Sequence, residues 1–187
     1  MDVIEAIRTR RAVRNYANEP LPRETAKALI EAAAWAPTAR DQQAWGFVVA
    51  RDRAKLRIWS EEAKAHMLRV MGGDLAQVGF RAMVESRDFN IFYNAPALIV
   101  VCATSPDPMA REDCCLAAEN LMLAARGLGL GSCWIGFAEA WLNLPEGRAE
   151  LGLPEAWTPI APIIVGKPAG DWPPAPARHT PESIWIG

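Results

Sequence analysis

Gly127-Leu128-Gly129-Leu130-Gly131 is the stretch that decides the fold, because of what lies on either side of it. Closely spaced glycines invite comparison with a dinucleotide-binding loop, which needs a strand before the glycines and a helix after them. Here the order is reversed: a long segment with helical periodicity, 111–127, comes first, and a short apolar run, 132–136, comes next. The glycines therefore predict the end of a helix and a tight turn into a strand.

The rest of the chain alternates between helical and strand patterns. Pro22 suits the first turn of a second helix and Asp52 can cap a third. The predicted helices cover 3–10, 22–35, a segment after Asp52, a possible helix over 75–85, 111–127 and 141–151. The predicted strands cover 45–50, 96–103, 132–136 and 159–166. Helices interleaved with about four strands predict an α+β fold or a three-layer α/β/α sandwich.

Two further patterns concern packing. In the long helix and just after it, the residues predicted to face inward are Leu116, Ala117, Asn120, Leu121, Leu123, Ala124 and Leu128. The tail, 167–187, holds five prolines and predicts an extended arm beyond a domain of residues 1–166. Near its end are Ile184, Trp185 and Ile186, whose apolar side chains favour burial. We therefore expect the arm to pack on a second subunit.

Composition excludes several classes of function. The chain has 187 residues, 51% hydrophobic and 22% charged, with a net charge of -2. A general nucleic-acid binder needs a broad basic surface, which this charge argues against. The longest apolar run, 95–103, is too short to span a bilayer. The first residues carry Asp2 and Glu5 on a predicted helix, which is not the pattern of a signal peptide.

The cysteines and histidines predict neither a metal site nor a disulfide framework. No two of the four cysteines form a CxxC pair, and His66 and His179 are isolated. Buried, reduced thiols in a cytoplasmic protein are the expectation.

Four arginines fall within seven residues in Arg8-Thr9-Arg10-Arg11-Ala12-Val13-Arg14-Asn15-Tyr16. The guanidinium group is a rigid fork of donors that fits phosphate or carboxylate. Arg10 and Arg14, or Arg11 and Arg14, are four or three residues apart, so either pair could face one anion from a helical turn or from an extended segment. From this stretch alone, a solvated surface or a set of surface ion pairs explains the cluster equally well.

Four stretches in order along the chain carry a family pattern. Arg10-Arg11-Ala12-Val13-Arg14-Asn15-Tyr16 is similar to an Arg-Arg-Ser-x-Arg-x-aromatic signature. Ala36-Pro37-Thr38-Ala39-Arg40-Asp41-Gln42-Gln43-Ala44-Trp45 is similar to an Ala-Pro-Ser-x-x-Asn-x-Gln-Pro-Trp loop. The other two are the helix–glycine–strand run 118–136, and Leu153-Pro154 followed by 159–168, with Arg178 in the arm. Together they resemble the nitroreductase superfamily of FMN-dependent oxidoreductases.

The resemblance implies a sandwich with a central mixed sheet and a homodimer with exchanged arms, in which one FMN per subunit binds at the interface. The implied cofactor contacts fall into groups. The phosphate ligands of the family match Arg10, Arg14 and Arg178, with Lys167 a weaker candidate, and a flavin contact matches Arg11. The serine donor of the family is replaced by Ala12, and the positions beside the ring and ribityl chain match Thr38, Asp41 and Gln43. The strand end near flavin N5 matches Ile135, Gly136 and Phe137. An ordinary strand end is the other interpretation of this last group.

The implied activity is ping-pong: NADH or NADPH reduces FMN, and a nitroaromatic, quinone or activated alkene then takes the hydride. No general acid or base stands out, and hydride transfer does not demand one. Phe89, Phe92 and Tyr93 could stack on a planar acceptor, or be plain packing. One alternative is a protein that sequesters or senses FMN with little turnover. Another is an interaction protein whose basic N-terminus docks an acidic partner, which leaves the other three stretches unexplained.

Three residues depart from the family pattern. Ala12 replaces a serine and so removes a hydroxyl donor, and Ala44 replaces a proline, which loosens the loop. Asp41 replaces an asparagine, and an ionised carboxylate can only accept hydrogen bonds. Our hypothesis is that Asp41 disfavours added negative charge on the flavin and lowers its reduction potential, unless Arg40 or another cation neutralises it.

Overall fold

A computed structural model describes residues 1–70 and 78–187. Its helices are α1 (Val3–Thr9), α2 (Arg23–Ala34), α3 (Arg53–Val70), α4 (Val78–Glu85), α5 (Met109–Gly127), α6 (Gly136–Leu142) and α7 (Pro145–Leu151). Its strands are β1 (Trp45–Ala50), β2 (Ala97–Ala103), β3 (Gly131–Trp134) and β4 (Thr158–Gly166). The first part of the possible helix over 75–85 lies outside the described residues, and α4 is its remainder.

The strands form one sheet in the order β1-β2-β4-β3, and each neighbouring pair is antiparallel. The expected mixed sheet is therefore wrong for the strands of this chain. Helix α5 connects β2 to β3 as a crossover, so these two strands do run parallel. However, β4 lies between them and is antiparallel to both.

Two helical layers cover the sheet, as the α/β/α sandwich requires. On one face, α2 and α5 pack over alternate strand residues that include Ile99 and Ile163. On the other, α3 and α6 pack over the intervening residues, which include Leu98 and Ile164. The central strands β2 and β4 are thus buried on both faces. This explains why their sequences are continuous apolar runs. The predicted α+β fold is confirmed.

The boundaries differ most from those predicted on either side of α6. The segment expected as one helix over 141–151 is two, because Leu144 is extended and Pro145 begins a new helix at its first position. The strand expected over 132–136 ends at Trp134, since Ile135 caps α6 and Gly136 is the first residue of that helix. The predicted cap of α3 is confirmed: Asp52 Oδ1 accepts from the backbone N–H groups of Ala54 and Lys55.

Two residues predicted to face the core do not. Leu116 is 47% exposed and Leu128 is 56% exposed. Leu116 lies on the side of α5 away from Cys114 and Ala117, which are fully buried. Leu128 lies beyond the end of α5, in the turn that closes it. Both leave apolar surface on the outside of this subunit.

The arm is extended, and its first part is anchored to its own domain. The Trp172 indole N–H donates to the carbonyl of Thr9 (2.7 Å), and the Arg126 guanidinium stacks on the Trp172 ring (4.1 Å). Arg11 Nε donates to the carbonyl of Pro174 (3.3 Å). Beyond Pro174 every residue is exposed, including the apolar residues 184–186.

The thiols are free, and Cys102 and Cys114 are fully buried. Burial raises the pKa of both thiols from 9.0 to about 12. Above pH 9 the unfolded chain loses these protons while the folded chain keeps them, so stability falls as the pH rises towards 12. Raising the pH from about 8 to about 10 should lower the free energy of unfolding by on the order of 1 kcal/mol per thiol.

Urea unfolding at both pH values measures this loss. The Cys102→Ala/Cys114→Ala variant should lose less stability over the same interval. An equal loss in the variant and the parent chain would contradict the assignment to these thiols.

Candidate functional site

The arginine-rich segment lies against the outer edge of the sheet. Ala12 forms a parallel bridge with Ser132 of β3, and the Val13 N–H donates to the carbonyl of Ser132 (3.0 Å). This approach requires a glycine at 131, because a β-carbon there would come within 2.7 Å of Val13. The glycine turn after α5 and the arginine motif are therefore parts of one structure.

Arg10 and Arg14 both lie near Cys133 of β3. Burial raises the pKa of the Cys133 thiol, and the nearby Arg14 and Arg10 guanidinium groups oppose this rise. Arg10 Nε contacts Glu119 Oε1 at 3.2 Å. Arg14 is exposed, and its guanidinium carbon lies 5.7 Å from the centroid of the Tyr93 ring. Two cations four residues apart thus share one edge of the sheet.

The three aromatic residues proposed for the acceptor separate into two groups. Phe89 and Tyr93 are half-buried and meet edge to face, with ring centroids 5.8 Å apart. Tyr93 has a left-handed backbone (φ 51°), and its ring faces Arg14. Phe92 is fully buried in the core and cannot reach an acceptor, so the prediction that it stacks on one is wrong. Core packing is its role.

The other cations of the predicted set have different partners. The Arg11 guanidinium donates to the carbonyls of Arg8 (2.9 Å) and Arg10 (2.7 Å), in addition to Pro174. Lys167 Nζ contacts Glu19 Oε1 at 2.9 Å, beside a cavity of about 630 Å³ that Leu21 and Leu128 help to line. Arg178 lies on the exposed part of the arm.

Thr38, Asp41 and Gln43 are brought together in one loop. Thr38 Oγ1 accepts from the backbone N–H of Gln43 (3.1 Å), and Asp41 Oδ1 accepts from Gln43 Nε2 (3.0 Å). With Trp35, Pro37 and Trp45, they line a cavity of about 540 Å³, which we call the loop cavity. Arg40, the residue considered as a neutraliser of Asp41, pairs with Asp107 instead.

Trp45 also lines this cavity, and the sequence motifs assigned it no role. Its indole N–H is buried and has no acceptor among the described residues. A buried donor without a partner is costly. A buried indole N–H cannot be foreseen from sequence, since its partner depends on the tertiary structure.

Ile135, Gly136 and Phe137 lie where β3 passes into α6. Ile135 is buried, whereas Gly136 and Phe137 are exposed at the first turn of the helix. The Phe137 ring contacts Phe80 of α4, with centroids 5.2 Å apart. This group therefore shares the β3 edge with Arg10 and Arg14.

The loop cavity lies elsewhere. Its loop leads directly into β1, and β1 and β3 are the opposite edge strands of the sheet. Three strand spacings separate these edges by roughly 14 Å. Within one chain, the structure thus forms two separate groups of candidate residues rather than a single site.

A comparison with protein families decides the classification. The sequence model of a protein family, described as "Nitroreductase family", matches residues 7–167. This chain belongs to the Nitroreductase family. The resemblance drawn from the four sequence stretches is confirmed.

Curated and solved relatives agree with the family. A nitroreductase from Bacteroides fragilis with bound FMN is 30% identical, with a TM-score of 0.79 over 100% of this chain and 96% of that one. A nitroreductase with bound FMN from Desulfitobacterium hafniense is 26% identical, with a TM-score of 0.79 over 97% and 95%. A protein of Methanothermobacter thermautotrophicus named NADH dehydrogenase/NAD(P)H nitroreductase is 43% identical over 56 residues, which span 30% of this chain and 29% of that relative.

The described residues contain neither a membrane-spanning helix nor a cluster of metal-binding side chains. Within residues 1–70 and 78–187, no helix is long and apolar enough to cross a bilayer. The same ranges contain no group of three or more His, Cys, Asp or Glu side chains that could hold a metal ion.

Proposed function

We propose that this nitroreductase-family chain is an FMN-dependent oxidoreductase that uses NADH or NADPH to reduce a small nitroaromatic, quinone or activated alkene. The observation that carries the proposal is the pairing of the arginine-rich segment with β3, which sets Arg10 and Arg14 along that edge of the sheet. Two solved relatives that align with nearly the whole chain were crystallised with FMN.

The residues fit the chemistry of FMN. A phosphate dianion suits paired arginines, which stay charged and donate in a fork. Arg14 has no carboxylate partner in the described part of the chain, and the contact of Arg10 with Glu119 uses its Nε. The loop cavity adds hydroxyl, carboxylate and amide groups, together with the unpaired Trp45 N–H. These are partners for the polar ribityl chain and ring edge.

A homodimer would unite the two groups of residues. The arginines and the loop cavity occupy opposite edges of the sheet in one subunit. If two copies pack so that the β3 edge of one meets the loop cavity of the other, each site takes residues from both. Exposed apolar residues on α1 and α5, among them Ile4, Ile7 and Leu116, supply surface for such packing.

We also propose that the arm packs on the β1 edge of the partner. A groove of about 480 Å³ there has an apolar floor of Ala26, Ile30 and Val49. Arg23, Lys27 and Arg51 also line it. The apolar residues 184–186 match its floor, and Glu182 matches its charge. The outer side of β1 is free to pair with an extended segment.

When bound, FMN supplies the flavin that accepts hydride from NAD(P)H and passes it to the acceptor. The tasks of this chain's residues are to hold the phosphate, to orient the ring and to shape the acceptor cavity. Phe89 and Tyr93 present aromatic surface next to Arg14, on which a planar acceptor can stack. The free thiols fit a reducing compartment, so we propose a cytoplasmic location.

The activity can be tested with purified protein to which FMN is added. We expect a bound flavin whose visible absorbance is lost on anaerobic addition of NADH or NADPH and restored by a quinone. A bound flavin that neither nucleotide reduces would favour a binding or sensing protein. Absence of FMN binding at micromolar concentrations would contradict the proposal.

The arginines can be tested by measuring FMN affinity. Arg14→Gln removes a charge-assisted contact and should weaken FMN binding by about 10- to 100-fold. Arg8→Gln is the matched control, because Arg8 belongs to the same cluster but only its backbone carbonyl has a hydrogen-bond role here. This control should bind FMN within about twofold of the parent chain. Equal losses in both variants would indicate a general charge effect.

Asp41 should tune the reduction potential of bound FMN. Its side chain contacts the neutral Gln43 amide, and Arg40 forms an ion pair with Asp107. The charge of the Asp41 carboxylate is therefore not offset by Arg40 and can act on the flavin. Asp41→Asn should raise the potential by roughly 30 mV, the two-electron equivalent of about 1.4 kcal/mol. Asp41→Glu keeps the charge and should leave the potential near its original value. An unchanged potential in Asp41→Asn would refute the hypothesis.

The arm can be tested through the mass of the protein in solution. Ile184→Ser/Trp185→Ser should shift light scattering from dimer to monomer at micromolar concentration, because the apolar contact is lost. Ile58→Ser replaces an apolar residue that is 56% exposed on α3 and should leave the mass unchanged. A double variant that remains as dimeric as the parent would contradict the proposed role of the arm.

A further inference from the structure

Asp113 is a buried carboxylate with no role in the site described so far. It lies in α5, is 3% exposed, and adjoins the core residues Cys114 and Ala110. Its Oδ1 accepts a hydrogen bond from the backbone N–H of Ala39 at 2.9 Å. A carboxylate is costly to bury unless it is bonded. This hydrogen bond joins α5 to a loop 74 residues earlier in the sequence, so it fixes the position of that loop relative to the helix.

The segment that Asp113 contacts has an unusual backbone. Arg40 (φ 53°), Asp41 (φ 53°) and Gln43 (φ 50°) are all in the left-handed region, although none is glycine. Residues with a β-carbon rarely adopt this conformation. Such backbones persist when the surrounding structure holds them in place, and they concentrate at ligand sites.

Side chains of Asp113, Asp107 and Thr38 are among the groups that hold the loop. Asp113 binds the Ala39 N–H at the start of the short 3₁₀ turn Ala39–Asp41. Asp107, just before α5, accepts from the Arg40 side chain, and Thr38 Oγ1 accepts from the Gln43 N–H. The Arg40–Asp107 pair involves an exposed arginine, and exposed pairs hold geometry weakly. Of these three contacts, the bond of Asp113 is the best shielded from water, because it is partly buried and the other two are exposed.

We infer that Asp113 is a positioning residue for the cofactor loop, an inference that rests on the proposed FMN site. By fixing the Ala39 N–H, it holds the left-handed turn that aims Asp41 and Gln43 into the loop cavity. It acts through the backbone of Ala39 and does not itself line that cavity.

The test compares Asp113→Ala, Asp113→Asn and the control Glu112→Ala. Glu112 is the exposed neighbouring acid on α5. Titration with FMN, followed by quenching of its fluorescence, should show about tenfold or greater loss of affinity in Asp113→Ala. Asp113→Asn keeps an oxygen acceptor and should bind FMN within about threefold of the parent chain, as should Glu112→Ala.

A second readout is independent of the cofactor. Without FMN, hydrogen exchange of the Ala39 amide, measured by NMR, should accelerate in Asp113→Ala and stay slow in the other two variants. Far-UV circular dichroism checks that each variant is folded. If Asp113→Ala does not fold, Asp113→Ser, which is too short to reach Ala39, is measured in its place with the same expected loss.

Unchanged FMN affinity, or unchanged Ala39 exchange, in a folded Asp113→Ala or Asp113→Ser variant would overturn the inference. A loss as large in Asp113→Asn as in Asp113→Ala would also overturn it, because an acceptor oxygen would then not suffice. If the parent chain itself fails to bind FMN, the proposed function fails, and the inference fails with it.

Discussion

The close approach of Val13 to Gly131 is the contact on which the candidate site depends. Because position 131 has no β-carbon, the segment after α1 can lie along β3 and pair with Ser132. This pairing sets Arg10 and Arg14 on either side of Ala12. The same segment continues to Tyr16, which bridges to Pro168. The contact of the Val13 side chain with Gly131 thus fixes the arginines, the edge of the sheet and the start of the arm relative to one another.

Local sequence patterns were sufficient for the elements and for the layers. The runs in β2 and β4 are apolar on both faces, which is the pattern expected of strands covered on both sides. The order of the strands could not be predicted, because the insertion of β4 between β2 and β3 is a long-range event. The division between α6 and α7 had a local signal in Pro145, and the helical periodicity of the flanking residues obscured it.

The candidate site could be predicted only in part for a similar reason. The motifs identify Arg10, Arg14, Thr38, Asp41 and Gln43, but sequence order does not say that they occupy two edges of the sheet. Phe92 belongs to an aromatic cluster in sequence, and only the structure separates it from Tyr93. Asp113 gives no distinct signal, because acidic residues near the start of a helix are already expected from the helix dipole. Its partner lies in a loop far away in sequence.

The state of the Cys133 thiol has a chemical consequence for the proposed reduction of quinones or activated alkenes. These acceptors are electrophiles that add covalently to thiolates, and two neighbouring guanidinium groups would ordinarily promote the thiolate. Burial on β3 outweighs them and raises the pKa of the Cys133 thiol, which lowers its thiolate fraction. The arginines can then draw anionic groups to this edge without activating a nucleophile beside them. A smaller thiolate fraction makes this sulfur a weaker nucleophile towards the electrophilic acceptors that we propose.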